Sequence, residues 1–233
     1  MSGLARPGGG AERDDVRGGG MFELDAPAGL RLVLVRHGQT PANVAHVLDT
    51  VPPGPGLTEL GRQQADELAV RLAEEKVVSV HASRALRAQQ TAQPLAQRHG
   101  LPVEVVEGTH EVFVGDLERR GDLDALRTFD EVYALWHLGE LDVPMPGGET
   151  GRQALTRFVA GARSAVDGAG DGAVVLVSHG AMLRLAVSAL ASNVDGATAN
   201  SVLLPNTGVI VLESDPEAPT GWTCTSWDGL DRL

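Results

Sequence analysis

The 233-residue chain contains a single cysteine, Cys224, so no internal disulfide can form, and that usage suits a reducing cytoplasm. No apolar stretch approaches the ~20 residues that span a bilayer, and the N-terminus carries no apolar core of the kind that marks a secretory signal. Basic residues are scarce: 19 Lys and Arg stand against 31 Asp and Glu, for a net charge of −12. A chain of this sign repels nucleic acid and anionic membranes, so neither is expected as a partner. One cysteine cannot build a thiolate metal site, and His46, His81, His99, His110 and His137 show no metal-ligand spacing. There is no Gly-x-x-x-x-Gly-Lys phosphate loop, which argues against nucleotide hydrolysis of that type.

What is present suits one globular α/β domain with a sizeable core, with 42% hydrophobic and 21% charged residues. Residues 1–30 are rich in Gly, Arg and Asp, lack periodicity and read as a disordered leader, with Met21 as an alternative start. The folded domain is expected over residues 31–233. Apolar runs and helical spacing then alternate. Strands are expected at Arg31–Val35, Val77–His81, Val103–Val106 and Ala173–Val177, with Val202–Leu204, Val209–Leu212 and Trp222–Thr225 completing the sheet. Thr58 caps a helix running to about Glu75, and Ser83 is placed as the cap of the next. Further helices are expected at Asp122–Leu138, Glu149–Ala165 and Met182–Leu190. Repeated βα units imply a three-layer α/β/α sandwich with a mostly parallel central sheet.

Ligands in such sheets bind beyond the carboxyl ends of the strands. Three polar segments follow strands there: Arg36-His37-Gly38-Gln39, Ser83 to Arg87, and Ser178-His179-Gly180. A neutral imidazole at His37 suits attack on phosphorus, because a phosphohistidine divides one hard displacement into two. Guanidinium forks bind phosphoryl oxygens in pairs, which makes Arg36 and Arg87 clamp candidates. Taken alone, Arg87 is open between a clamp and a solvated helix residue, and Arg84 reads as solvated. His179 starts a helix, where free N–H groups and the dipole attract an anion, and Gly180 permits close backbone approach. A carboxyl group with a raised pKa would protonate the leaving oxygen, and spacing leaves Glu111, Asp116 and Glu118 open.

Together these segments resemble the histidine phosphatase superfamily, also called the phosphoglycerate mutase-like family. Arg36-His37-Gly38-Gln39-Thr40 is similar to its signature, and Asn43 falls where the family has a phosphate-contacting asparagine. Leu57-Thr58-Glu59-Leu60-Gly61-Arg62, Arg87-Ala88-Gln89-Gln90-Thr91-Ala92, Pro146-Gly147-Gly148-Glu149-Thr150, Val177-Ser178-His179-Gly180 and Asn206-Thr207-Gly208 resemble further family segments. The resemblance covers about Leu32 to Gly208 and makes Arg87 the second clamp and Glu111 the proton donor. The chain departs from the family at Val47, Asp49 and Thr50, at Arg84-Ala85, and at Leu117 and Arg119. These positions are expected on the pocket rim, where they bear on substrate choice and weaken a glycolytic mutase reading. The segment from Gly108 to Gly148 is expected to form a modest lid.

The resemblance implies a phosphoglycerate mutase-like fold and a phosphoric monoester hydrolase acting through phosphohistidine, with neither metal nor other cofactor. His37, Glu111 and His179 are the expected catalytic residues; Arg36, Asn43, Arg87 and Gly180 are expected to bind substrate. The expected partner is a small-molecule phosphate ester, in the cytoplasm, and a homodimer is compatible with the sequence. Val47, Phe113, Trp136 and Met145 are expected as pocket walls around a small or partly apolar leaving group. The alternatives are mutase-type phosphoryl transfer and a catalytically silent phosphate-binding module.

Overall fold

The structure, a computed structural model, describes residues 22–230. A six-stranded sheet runs in the order β3-β2-β4-β1-β5-β6. Its strands are β1 (Leu30–Arg36), β2 (Val77–Ser83), β3 (Val103–Val106), β4 (Gly172–Ser178), β5 (Val209–Ser214) and β6 (Trp222–Trp227). The β3–β2, β2–β4 and β4–β1 pairings are parallel, whereas β5 is antiparallel to β1 and to β6. The sheet is therefore mixed, and the expected parallel character holds only for its β3-β2-β4-β1 portion.

Side chains alternate across the sheet with a period of two. Leu32, Leu34, Val174 and Leu176 enter one apolar cluster, while Val33, Val35, Val175 and Val177 enter another. The first cluster is closed by α4 (Leu123–His137), α5 (Gly151–Val166), α6 (Gly180–Leu190) and α7 (Gly196–Ser201). The second is closed by α2 (Glu59–Arg71) and α3 (Leu86–His99). Both faces of β1 and β4 are buried, which explains their continuous apolar runs. A short α1 (Pro41–Ala45) carries a reciprocal capping box between Thr40 and Asn43. Thr58 caps α2 as expected, accepting from the Gly61 N–H. Among the described residues no helix is long and apolar enough to cross a membrane.

Three expectations change, and two short helices are added. Ser83 is the last residue of β2 rather than a cap; Ala85 precedes α3 and makes no side-chain capping bond. Residues 202–204 are irregular rather than a strand, because the Leu204 carbonyl accepts from Arg36 Nη1 at 2.6 Å and Leu203 is 78% exposed. α1 and α7 lacked an apolar period long enough to be read from sequence. The leader expected over residues 1–30 falls on residues 1–21 outside the described residues, but residues 22–30 pack onto the fold. Leu24 is buried in the larger cluster with Phe22 and Ala26 against it, and its carbonyl accepts from Trp222 Nε1 at 2.9 Å.

Candidate active site

Because β2, β4 and β1 are parallel neighbours, their carboxyl ends share one sheet edge, and Arg36 lies in register with Ser178. The turn after β1 passes directly over the start of α2. A Cβ on Gly38 would lie 2.6 Å from the Gly61 carbonyl oxygen, and one on Gly61 would lie 2.1 Å from that of Gln39. Only glycine fits at either position, which gives Gly38 and Gly61 a steric reason. The Gly38 N–H donates to Thr91 Oγ1 at 2.9 Å, tying the same turn to α3.

His37 is 5% exposed, and its Nδ1 lies 2.7 Å from the Gly38 carbonyl oxygen. A carbonyl only accepts, so Nδ1 carries the proton and Nε2 keeps its lone pair. Burial, then Arg87 and Arg36, holds its pKa well below the usual histidine value, so the ring is neutral at pH 7. His179 is fully buried and meets His37 edge-on, with ring centroids 5.1 Å apart. Its Nε2 pairs with Ser83 Oγ at 2.7 Å, and its Nδ1 is buried without a hydrogen-bond partner. Burial and the Arg87 charge lower its pKa as well.

A cavity of about 230 Å³ opens beside His37, with Arg36, Arg87, Asn43, Glu111 and Gly180 in its wall. His179 lies behind this wall rather than in it. Burial depresses the pKa of both Arg36 and Arg87; the Glu111 carboxylate opposes this at both, and the Arg184 and Arg87 charges lower Arg36 further. Two buried guanidinium groups, with Arg184 as a third on the wall, give a local cationic field in an acidic chain. Arg36 Nε and Arg87 Nη1 have no hydrogen-bond partner. Buried donors of this kind are matched to an anion. A Cβ at position 180 would come within 3.1 Å of Arg36 Nε, so Gly180 makes room for that guanidinium. Asn43 Oδ1 accepts from the Thr40 N–H at 3.0 Å and from Asn206 Nδ2 at 3.3 Å, which leaves its amide N–H₂ as a donor.

The three carboxylates separate cleanly. Glu111 is on the cavity wall; Oε1 accepts from the Val112 and Met182 N–H groups, each at 2.9 Å, and Oε2 from Ala181 at 3.2 Å. The N-terminus of α6 thus holds a carboxylate of the protein, not the free anion site expected there. Glu118 binds the Thr50 N–H and hydroxyl, and Asp116 is exposed. Of the expected apolar walls, Val47 lines the cavity. Trp136 and Met145 are instead core residues at 2% and 0% exposure: Trp136, near the end of α4, lies against Gly151 at the start of α5, and Met145, in the irregular segment between these helices, is buried in the same cluster. Phe113 is 40% exposed and lies off the cavity wall. Sequence reasoning missed the Ser83 partner of His179, and it missed Arg184, which stacks 5.0 Å above the Tyr133 ring. Among the described residues no group of three or more His, Cys, Asp or Glu could hold a metal ion.

The neutral histidines make stability depend on pH. The unfolded chain binds protons on His37 and His179 near pH 6.5, whereas the folded chain does so only at much lower pH. Below pH 6.5 the unfolded state therefore holds more protons, and stability falls as pH falls. Each ring contributes up to about 1.4 kcal/mol per pH unit within that window. His110 and His137, each lowered to about 4, act in the same direction, while the raised Asp49 opposes them. The urea midpoint is expected to drop steeply from pH 7 to pH 5.5, with a shallower drop in His179→Asn; equal slopes in the two proteins would contradict the assignment.

The profile of the histidine phosphatase superfamily (branch 1) matches residues 32–228. The chain is 36% identical over 215 residues to PE-PGRS family protein PE_PGRS11 of Mycobacterium tuberculosis, covering 84% of this chain but only 36% of that protein. It is 35% identical over 162 residues to the adenosylcobalamin/alpha-ribazole phosphatase of Salmonella typhimurium, covering 69% of this chain and 79% of the relative. Among solved structures, a mycobacterial glucosyl-3-phosphoglycerate phosphatase in complex with VO3 superimposes with a TM-score of 0.68 at 26% identity. That match covers 87% of this chain and 99% of the other.

Proposed function

The chain belongs to the histidine phosphatase superfamily, and from that membership we propose that it is a metal-independent phosphomonoesterase acting on a small phosphorylated metabolite. The observation that carries this reading is a neutral, buried imidazole whose free Nε2 shares one cavity with two guanidinium groups and a carboxylate. Arg36, Arg87 and the Asn43 amide, which line the cavity, bind the phosphoryl oxygens; His179 backs the His37 ring edge-on from behind the wall, and Gly180 keeps the Arg36 side open. His37 Nε2 attacks phosphorus while the bond to the leaving oxygen breaks, and the Glu111 carboxyl group gives that oxygen its proton. Glu111, now ionised, takes a proton from water; the water oxygen attacks phosphorus, the N–P bond breaks, and phosphate leaves. The guanidinium charges supply the electrostatic stabilisation that the developing phosphoryl charge needs.

Substrate size follows from the wall. The cavity is large enough for a phosphoryl group and a little of the alcohol. An open groove of about 440 Å³ adjoins it, sharing Ala42, Val47 and Asp49 and extending along Ala45 and Pro55. Asp49 Oδ1 stands 3.7 Å from Arg87 Nη1, and Val47 beside it is apolar. Arg119 also lines the groove, so its wall carries one acidic and one basic group, and the product rather than the wall separates hydrolysis from mutase-type transfer. The test is phosphate release from a panel of phosphate esters in the presence of a chelator and without bisphosphoglycerate. Full activity in chelator is expected. Activity that appears only with added divalent metal, or phosphoryl transfer without phosphate release, would reject the reading.

A further inference from the structure

We propose that Arg157, fixed by Glu149, is the positioning residue that sets the Glu111 carboxyl group for proton transfer. This inference rests on the reading of Glu111 as the proton donor. After β3 the chain has no regular structure until residue 115, so the backbone around Glu111 has no ladder to hold it. Its carbonyls are captured from α5 and β4 instead. Arg157 Nη1 donates to the Gly108 carbonyl at 2.6 Å and to that of His110 at 2.8 Å, and Nη2 donates to that of Glu111 at 2.9 Å. The Thr109 carbonyl between them accepts from Ser178 Oγ at 2.6 Å. Four consecutive carbonyls are thus pinned, three of them by one side chain.

The remaining Arg157 donors go to Glu149: Nε to Oε2 at 2.9 Å and Nη2 to Oε1 at 2.5 Å. All five guanidinium N–H groups are therefore used. Glu149 Oε1 also accepts from the Phe113 N–H at 2.7 Å, and the Glu149 N–H donates to the Phe113 carbonyl at 3.1 Å. The pair brackets Glu111 from residue 108 to residue 113, and its side chains are only 19% and 12% exposed. Neither residue lines the cavity, so neither touches substrate. This gives the Pro146–Thr150 segment a function: it delivers Glu149 to the acid-bearing loop. A lysine at position 157 has three donors on one nitrogen and cannot reproduce a planar fork over three carbonyls and a carboxylate.

A misplaced acid hurts an ester whose leaving group must be protonated and spares one that leaves as a stable anion. In Arg157→Lys, kcat/KM for an alkyl phosphate is expected to fall roughly 100-fold, while kcat/KM for p-nitrophenyl phosphate, which reports only the steps up to loss of the leaving group, falls less than about threefold and inhibition by inorganic phosphate is unchanged. A loss equal for both esters would mark a merely structural role and overturn the proposal. Glu149→Gln keeps an acceptor for Arg157, and should show the same split in weaker form; it carries the test if Arg157→Lys does not fold. Glu111→Gln separates the two readings. If it shows no split, the proton-donor reading fails; if it splits the esters and Arg157→Lys and Glu149→Gln do not, only the positioning role fails.

Discussion

A His37→Ala enzyme is expected to lose turnover of p-nitrophenyl phosphate by roughly 10⁴-fold or more, with its fold intact. No second imidazole can take over. His179 Nε2 is bound to Ser83, the ring is fully buried, and it stands outside the cavity wall. The change removes one bond, from Nδ1 to the Gly38 carbonyl, and takes away a ring that is neutral through burial and then the Arg87 and Arg36 charges, so no buried charge is left unpaired. Strand β1 keeps its pairing on both sides, so the unfolding transition should stay cooperative. The variant should still bind inorganic phosphate, since Arg36, Arg87 and Asn43 are unchanged, and that binding reports an intact site. Brief exposure of the parent enzyme to a ³²P-labelled ester should leave label on His37, and the variant should take up none. Turnover above about one per cent of the parent's, or label on another residue of the variant, would remove His37 from the nucleophile's role.

The convergence of Arg36, His37, Arg87 and His179 was legible in the sequence because it is set by local signals repeated along the chain. Each residue follows an apolar run or opens a helix, and parallel neighbours put those ends together. What escaped was non-local. A serine just before a helix is the commonest cap signal, yet the Ser83 hydroxyl serves a histidine 96 positions away. Nothing near Ser83 in the chain encodes that. The Glu111 loop is similar: the choice of Glu111 among three carboxylates came from a resemblance, while the side chains that hold its backbone lie 38 and 46 residues further on and have no periodic signature. Trp136 and Met145 were misplaced because an apolar residue near a site and an apolar residue in the core look alike until packing decides. The antiparallel β5 escaped for a related reason, since strand direction leaves no trace in an apolar run. Residues 22–30 have low periodicity, yet they bury Leu24 and pack Phe22 and Ala26 against the larger cluster.

In the proposed mechanism, burial together with the Arg87 and Arg36 charges keeps His37 neutral for attack, and an acid must then reach the leaving oxygen. Glu111→Gln removes that acid at nearly constant shape, and turnover of alkyl phosphates is expected to fall roughly 10²- to 10⁴-fold. The p-nitrophenyl ester should lose far less in kcat/KM and in its burst of p-nitrophenol, which report transfer to His37, because its leaving group departs without a proton; its steady-state rate instead falls with the water step. The substitution has a structural cost of its own. Glu111 accepts three backbone N–H groups, and a glutamine has one acceptor oxygen, so its amide N–H₂ must face the Ala181 donor at the start of α6. One unsatisfied donor costs about 1–3 kcal/mol, which the unfolding midpoint will register. That loss cannot imitate the kinetic result, because a weakened fold lowers both esters together. Dephosphorylation adds a second readout. Without a base to take the proton from water, the phosphohistidine formed from the aryl ester should persist, so labelled enzyme should accumulate in Glu111→Gln to a higher level than in the parent. A variant that slows both esters equally and accumulates no phosphoenzyme would transfer the acid–base role away from Glu111.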